Sequence, residues 1–266
     1  MERVTITIDD DLLRSIDATV DGRTVKSRSH AIDVLLNQAL SRSIVTAGVV
    51  LAAGKKERLW SPEHDALKPL VEVDGKPVIE HVLLKLREAG VKRVVIVVGY
   101  GGEQLVAKLK DGADYGLHID YVWDENSTGS AGALLLCKDK LPETFILSYS
   151  DVYYPELDLV DLVKFHVETA KRPSCTLALV NVKSPAAFGV AKLTGSKIVS
   201  FTEKPRSEVQ SNLVNAGIAV CEPSIFSHIA KVPSSFEKEL LPALAEKEKL
   251  YGYIYSGKWM DVGMEE

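Results

Sequence analysis

Cysteine is scarce in this chain: three residues in 266, Cys137, Cys175 and Cys221. They lie far apart in the sequence, in apolar settings and without metal-ligand spacing. That pattern argues against a disulfide scaffold or a zinc site and predicts buried thiols in a reducing cytoplasm. No apolar run approaches bilayer length, and charge appears within the first three residues, so nothing points to a membrane span or to secretion. Charge of one sign is also missing. A net charge of -5 does not suit wholesale nucleic-acid binding, although local patches remain open. There is no internal repeat, low-complexity tract or long linker, and residues 42–46 are the one candidate joint. What the chain has is an ordinary globular balance, 46% hydrophobic and 26% charged. Its length suits one large domain, or one with a small appendage.

Residues 1–43 read as a separate unit. Arg3-Val4-Thr5-Ile6-Thr7-Ile8 alternates polar and apolar, the pattern of a strand with one buried face. Asp9, Asp10 and Asp11 place acids at a helix start, where they cap free N–H groups and complement the dipole. Leu12, Leu13, Ile16 and Val20 give that helix an apolar stripe, and Gly22 ends it. A second helix begins near Ser27–Ser29 and carries Ile32, Leu35, Leu36, Ala39 and Leu40 on one side. One strand and two short helices cannot bury a core alone, so a partner chain is expected and with it a homodimer.

Strand, helix, helix in this order, with R-V-T-I-T-I in front and K-S-R-S-H-A-I leading the second helix, resembles the ribbon-helix-helix DNA-binding family. In that family two chains intertwine and lay paired strands in the major groove. The resemblance implies that Arg3, Thr5 and Thr7 face base edges. It implies too that Ser27, Arg28 and Ser29 meet phosphates at a helix start. The alternative is a dimerisation clasp with no DNA role.

Residues 44–266 alternate strand and helix patterns, which predicts an α/β domain with a mixed, mainly parallel sheet flanked by helices. Val49–Ala53 and Arg93–Val98 read as buried strands, and His118–Trp123 and Phe145–Ser148 as a third and a fourth strand. Strands are expected again at 175–182, 189–193, 197–202, 215–221 and 251–255. Helices are expected over 78–89, 103–110, 130–137, 157–171, 223–229 and 236–247.

The chemistry gathers in Gly48–Leu70, GVVLAAGKKERLWSPEHDALKPL. A short apolar run stops at Gly54, a loop carries Lys55, Lys56, Glu57 and Arg58, and Lys68-Pro69 closes it. Ligands in open α/β sheets sit beyond the carboxyl ends of such strands. Glycine lets backbone N–H groups approach phosphate oxygens, while Arg58 and Lys68 neutralise them. Asp151, just past one apolar strand, and Asp261, in WMDVG, are two carboxylates suited to share Mg²⁺ with substrate phosphates, if the fold brings them together.

The stretch resembles the signature of the sugar nucleotidyltransferase family, LAAG-x-G-T-R-L followed by P-K-P-L, with Lys56 standing where the family has glycine and Glu57 where it has threonine. Further matches follow in the family's order: Gly129-Ser130-Ala131-Gly132, Ser150-Asp151, Phe188-Gly189-Val190, Glu203-Lys204-Pro205, Asn215-Ala216-Gly217 and Trp259-Met260-Asp261-Val262-Gly263. The resemblance implies a Rossmann-like, GT-A-like nucleotidyltransferase fold. It implies transfer of a nucleotidyl group from a nucleoside triphosphate to a sugar 1-phosphate, releasing pyrophosphate. It places Leu51, Ala53, Gly54, Asp124, Gly129 and Ser130 against the nucleotide. Asp124 stands where a base-reading glutamine is usual, so base identity does not carry over. Gly189, Glu203, Lys204 and Asn215 fall to the sugar phosphate, Arg58 and Lys68 to the reacting phosphates, and Asp151 and Asp261 to the magnesium. Lys56 has a β-carbon that disfavours positive φ, and Glu57 brings a carboxylate near a polyanion unless Arg58 or Lys55 pairs with it. A nucleotide-sensing DNA-binding regulator with a degenerate catalytic domain is therefore the competing expectation.

Overall fold

The computed structural model describes residues 5–22, 25–40, 45–169, 173–206 and 211–263. The chain forms two compact units, Met1–Ile44 and Val45–Glu266.

In the small unit the two predicted helices form, over Asp10–Asp17 and Arg28–Leu40. Asp9 caps the first, its carboxylate accepting from the Asp11 N–H at 2.9 Å. The Arg28 guanidinium grips Asp17 through two hydrogen bonds of 2.6 Å, which hold the Asp17 carboxyl below its usual range. The Ser27 hydroxyl accepts from the His30 N–H at 3.2 Å. Two residues expected to meet DNA phosphates are thus engaged inside the unit. Arg3 lies outside the described residues. The strand expected over 3–8 is not formed across residues 5–9. A strand exists by its ladder, and among the described residues this segment pairs with no second strand. Ile16 and Ala31 are buried, while Ile6, Leu12 and Leu36 are each more than half exposed.

The large unit is built on nine strands: β1 (Ala47–Ala52), β2 (Arg93–Val98), β3 (His118–Trp123), β4 (Phe145–Tyr149), β5 (Cys175–Asn181), β6 (Gly189–Thr194), β7 (Lys197–Glu203), β8 (Leu213–Cys221) and β9 (Leu250–Ile254). They form one sheet in the order β5-β9-β7-β6-β8-β4-β1-β2-β3. Strands β3, β2, β1 and β4 are parallel, as expected. From β8 onward most pairings are antiparallel, because short links such as the Gly195-Ser196 turn between β6 and β7 allow nothing else. The parallel expectation therefore holds for the first half of the sheet and for the β5–β9 pair, while the remaining pairings are antiparallel.

Apolar runs without alternation bury both faces of the central strands. Val50, Ile96 and Ile146 pack on one side with Ile79, Leu83 and Leu105 of the helices Val78–Glu88 and Gly102–Leu109. Val49, Val95 and Leu147 pack on the other with Leu134 and Leu244 of the helices Gly129–Leu135 and Leu241–Glu246. The helix expected over 157–171 is shorter, Leu159–Glu168, because Asp158 caps it by accepting from Val160 N–H at 2.8 Å. The one expected over 236–247 is split. A π-turn covers Phe236–Leu240, and Pro242, with no N–H to give, opens the α-helix that follows. The segment expected to be helical near 223–229 is a 3₁₀ helix, Pro223–His228.

All three cysteines are buried and free. Cys175 and Cys221, remote in sequence, face each other across β5 and β8 with their sulfurs 3.7 Å apart. Burial pushes the Cys221 thiol well above its ordinary value and Cys137 up to about 12. Among the described residues no helix is long and apolar enough to cross a membrane.

The chain leaves β3 on one side of β1 and returns as β4 on the other. The carboxyl ends of β1 and β4 therefore flank a topological switch point, where open α/β sheets bind ligands.

Candidate active site

At the end of β1 the backbone passes Leu51 and Ala53 and turns at Gly54, whose φ of 156° is one that side-chain-bearing residues rarely adopt. Lys56–Leu59 then form a single helical turn. Residue 56 thus needs no positive φ, and its β-carbon, expected to be an obstacle, is none. The Lys56 ammonium lies 5.8 Å and 5.9 Å from the ring centroids of Trp60 and Tyr100. Glu57 forms no ion pair with Lys55 or Arg58 among the described residues, so its charge stays unpartnered beside the site.

Asp151 follows β4. The Ser150 N–H donates to Leu51 O at 3.2 Å and so locks this turn to the end of β1. Asp261 arrives from the far end of the chain on a two-residue strand, Met260–Asp261, paired antiparallel with Val152–Tyr153. The Val262 N–H completes the ladder on Asp151 O at 2.9 Å. Backbone pairing, rather than either side chain, brings the two acids together. Lys68 runs beside them, its stem against Gly263: a β-carbon there would stand 2.5 Å from Lys68 Cε.

The acids open into a cleft of about 420 Å³. Its lining brings together eleven of the residues expected from sequence: Leu51, Ala53, Arg58, Lys68, Ser130, Asp151, Gly189, Glu203, Lys204, Asn215 and Asp261. The β6–β7 hairpin sets Gly189 opposite Glu203. Lys204 follows at φ 45°, left-handed although it precedes proline, and its N–H donates to Phe188 O at 3.0 Å. Strain of this kind collects where a side chain has to be aimed. The Asn215 amide oxygen accepts from the Gly217 N–H at 3.1 Å.

Charge in the cleft is arranged around the acid pair. Burial raises the Asp151 carboxyl, and Lys68 opposes the rise. Burial and the nearby Asp151 push Asp261 up to about 7, against Lys68 and Lys204. Burial also raises Glu203, opposed by Lys204, Lys238 and Arg58. Two carboxylates whose shared negative charge is this poorly tolerated suit a divalent cation. No cluster of three or more acidic, histidine or cysteine ligands exists among the described residues. A pair of hard oxygen donors with open positions fits Mg²⁺, which keeps waters and substrate phosphates in its shell.

Three expected residues lie elsewhere. Gly54 and Asp124 line a neighbouring cavity of about 410 Å³ with Tyr100 and Trp123, and Glu57 lines both cavities. Asp124 is buried, and its carboxylate accepts from the Thr128 N–H and hydroxyl at 2.9–3.0 Å, which shapes the loop before the next helix. Gly129 lines neither cavity. It sits at φ 79°, and a β-carbon on it would stand 2.3 Å from Ser234 O.

Glu237 was not legible from sequence, since a lone glutamate in a helical pattern reads as solvated surface. The π-turn aims it into the cleft, where it accepts from the Tyr149 hydroxyl and, at 3.0 Å, from the Ser130 hydroxyl. Burial raises its carboxyl as well.

Comparison with known proteins agrees with this fold. A mannose-1-phosphate guanylyltransferase catalytic subunit beta from Drosophila pseudoobscura pseudoobscura is 36% identical over 223 residues, covering 82% of this chain and 59% of that protein. A mannose-1-phosphate guanyltransferase from Yarrowia lipolytica is 38% identical over 226 residues, covering 81% and 60%. The chain thus spans about three-fifths of the length of these curated relatives. A crystal structure of a putative glucose-1-phosphate thymidylyltransferase from Bacillus anthracis, in complex with a sucrose, superposes with a TM-score of 0.73 at 26% identity, over 82% of this chain and 89% of that one. Residues 47–266 match the family described as nucleotidyl transferase, and with that span covering the whole sheet and both acids, the chain belongs to the nucleotidyl transferase family.

Proposed function

We propose that the chain is a cytoplasmic, Mg²⁺-dependent sugar-1-phosphate nucleotidyltransferase. The convergence of Asp151 and Asp261 beside Lys68 is the observation that carries this reading. A sugar 1-phosphate oxygen attacks the α-phosphorus of a nucleoside triphosphate, a new P–O bond forms, and pyrophosphate leaves with the electron pair of the broken one. No covalent enzyme intermediate is needed, so catalysis is positioning plus charge neutralisation. Arg58 holds the departing pyrophosphate, Lys68 the reacting phosphates and Lys204 the attacking phosphate. Glu203 and Asn215 accept and orient sugar hydroxyls. Magnesium, when bound by Asp151 and Asp261, supplies neutralisation of phosphate charge. The names of the relatives make GTP and mannose 1-phosphate the first pair to test. Pyrophosphate release should be measured with that pair and with the other common triphosphates and sugar 1-phosphates. Release with none of them, alongside measurable nucleotide binding, would replace the enzyme with a sensor.

We also propose that the N-terminal unit joins two chains as a ribbon-helix-helix dimer. Support comes from the exposed Ile6, Leu12 and Leu36 and from the unladdered, alternating Thr5–Ile8 segment. Sedimentation of the full chain carrying Leu12→Glu and Leu36→Glu should show monomer, and an unchanged dimer refutes the assignment. DNA binding is tested by a gel shift whose affinity falls steeply with salt.

A further inference from the structure

Two-residue ladders are weak, and the ladder of Val152–Tyr153 with Met260–Asp261 holds together two like charges that repel. Its opposite side is fastened to a hairpin that no catalytic role involves. Glu72–Val73 pairs with Lys76–Pro77 around Asp74 and Gly75, both at positive φ, 48° and 78°. From its tip the Asp74 carboxylate accepts from the Tyr153 hydroxyl at 2.5 Å and from the Lys258 ammonium at 3.3 Å. Tyr153 is almost wholly buried, with the His81 ring edge-on at 4.8 Å and the Lys258 ammonium 5.2 Å from its ring centroid. His81 in turn contacts Val73 O at 2.7 Å, which ties the helix Val78–Glu88 to the hairpin. Below the polar contacts, Val71, Val78 and Val262 form a small buried cluster of their own, with Met260 packed against it. Tyr153 follows Asp151 by two residues, and Lys258 precedes Asp261 by three, so one carboxylate holds a residue of the Val152–Tyr153 strand and a lysine two residues ahead of the Met260–Asp261 strand.

We propose that the Asp74 hairpin is a clasp whose positioning residues, Asp74 and Tyr153, set the separation of Asp151 and Asp261 and thereby the affinity of the site for a divalent cation. The inference rests on the metal reading given above. With the clasp closed, the cation meets a preformed pair. With it open, the two carboxylates move apart and the cation has to draw them back.

The test is Mn²⁺ binding to the full-length chain, followed by electron paramagnetic resonance without substrates. Tyr153→Phe keeps the ring, and Asp74→Asn keeps a residue that tolerates the left-handed turn, so both retain the packing. Each is expected to weaken Mn²⁺ binding about tenfold, the lower end of what outer partners of metal ligands contribute. Lys258→Arg is expected to preserve it. At saturating Mn²⁺ the KM for sugar 1-phosphate should match the parent, whereas general loosening would raise it. Parental Mn²⁺ affinity in both clasp variants, with binding lost in Asp151→Asn, overturns the clasp alone. Parental affinity in Asp151→Asn overturns the metal reading beneath it.

Discussion

Replacing Gly129 by alanine probes the joint that carries Ser130 into the cleft. The residue opens the helix Gly129–Leu135 at φ 79°, and an added methyl would stand 2.3 Å from Ser234 O and 2.9 Å from Ser234 C. The left-handed backbone costs an L-residue about 1–2 kcal/mol. The clash is with backbone rather than with a side-chain tip, so the Ser234 segment itself has to move, at the ~1–3 kcal/mol typical of overpacking. The sum is roughly 2–5 kcal/mol, and at about 2–4 °C per kcal/mol for a domain of this size the melting temperature should fall by roughly 4–20 °C. Gly195→Ala is the control: its φ is also positive, 59°, but nothing lies within 4 Å of the added methyl. It should cost about 1–2 kcal/mol, the conformational part alone. Moving Ser234 also displaces the turn that carries Glu237, because Ala131 N–H donates to Ser234 O at 3.0 Å and Ser130 Oγ accepts from Phe236 N–H at 2.8 Å. Calorimetry therefore reads the fold while the KM for nucleotide reads the cleft. Equal melting temperatures for the two variants would refute the close approach on which the reasoning depends.

Asp261→Asn should lower kcat/KM for pyrophosphate release by about 10²–10³, as loss of a preorganised charge-stabilising group does, and a change under threefold would remove the residue from the site. Glu57→Thr should lower the KM for the triphosphate about fivefold, since one unpartnered carboxylate near a polyanion costs roughly 1 kcal/mol even in water; a raised KM would mean that the carboxylate helps binding. Stability should fall above about pH 10. Burial raises the Tyr115 and Tyr121 hydroxyls to about 12, and a hydrogen bond to Asp74 does the same for Tyr153. The unfolded chain releases these protons near its ordinary value of 10.0 while the fold retains them, so the folded state binds more protons and loses stability as pH rises from there toward 12. Urea midpoints that stay level between pH 9 and pH 11 would contradict this.

Strands β1 and β2 were legible because a fully buried strand needs an unbroken apolar run, and both are buried over nearly their whole length, whereas β3 (HIDYVW) is the edge strand and only Ile119 in it is buried. The cap of the first helix was legible as well, since it is a contact between the near neighbours Asp9 and Asp11, whereas the cap at Asp158 was not, and the helix expected over 157–171 starts later because of it. The order of the motifs was sufficient to name a family, and most of the residues they contain do line one cleft. Local pattern fails where a property belongs to a pair of distant residues. Nothing near Asp261 announces that its strand will pair with Val152–Tyr153, or near Asp74 that it will grip that ladder from behind. Glu237 looked like surface until Pro242 and the π-turn rotated it inward, and Cys175 meets Cys221 only because β5 pairs with β8. The segment at residues 5–9 marks the same boundary from the other side, because its alternation is written in the chain while it meets no partner strand among the described residues. Amino-acid order determined the elements, because those depend on neighbours along the chain. The site was decided by tertiary structure, because carboxylates, lysines and their supports act through distances that only packing sets.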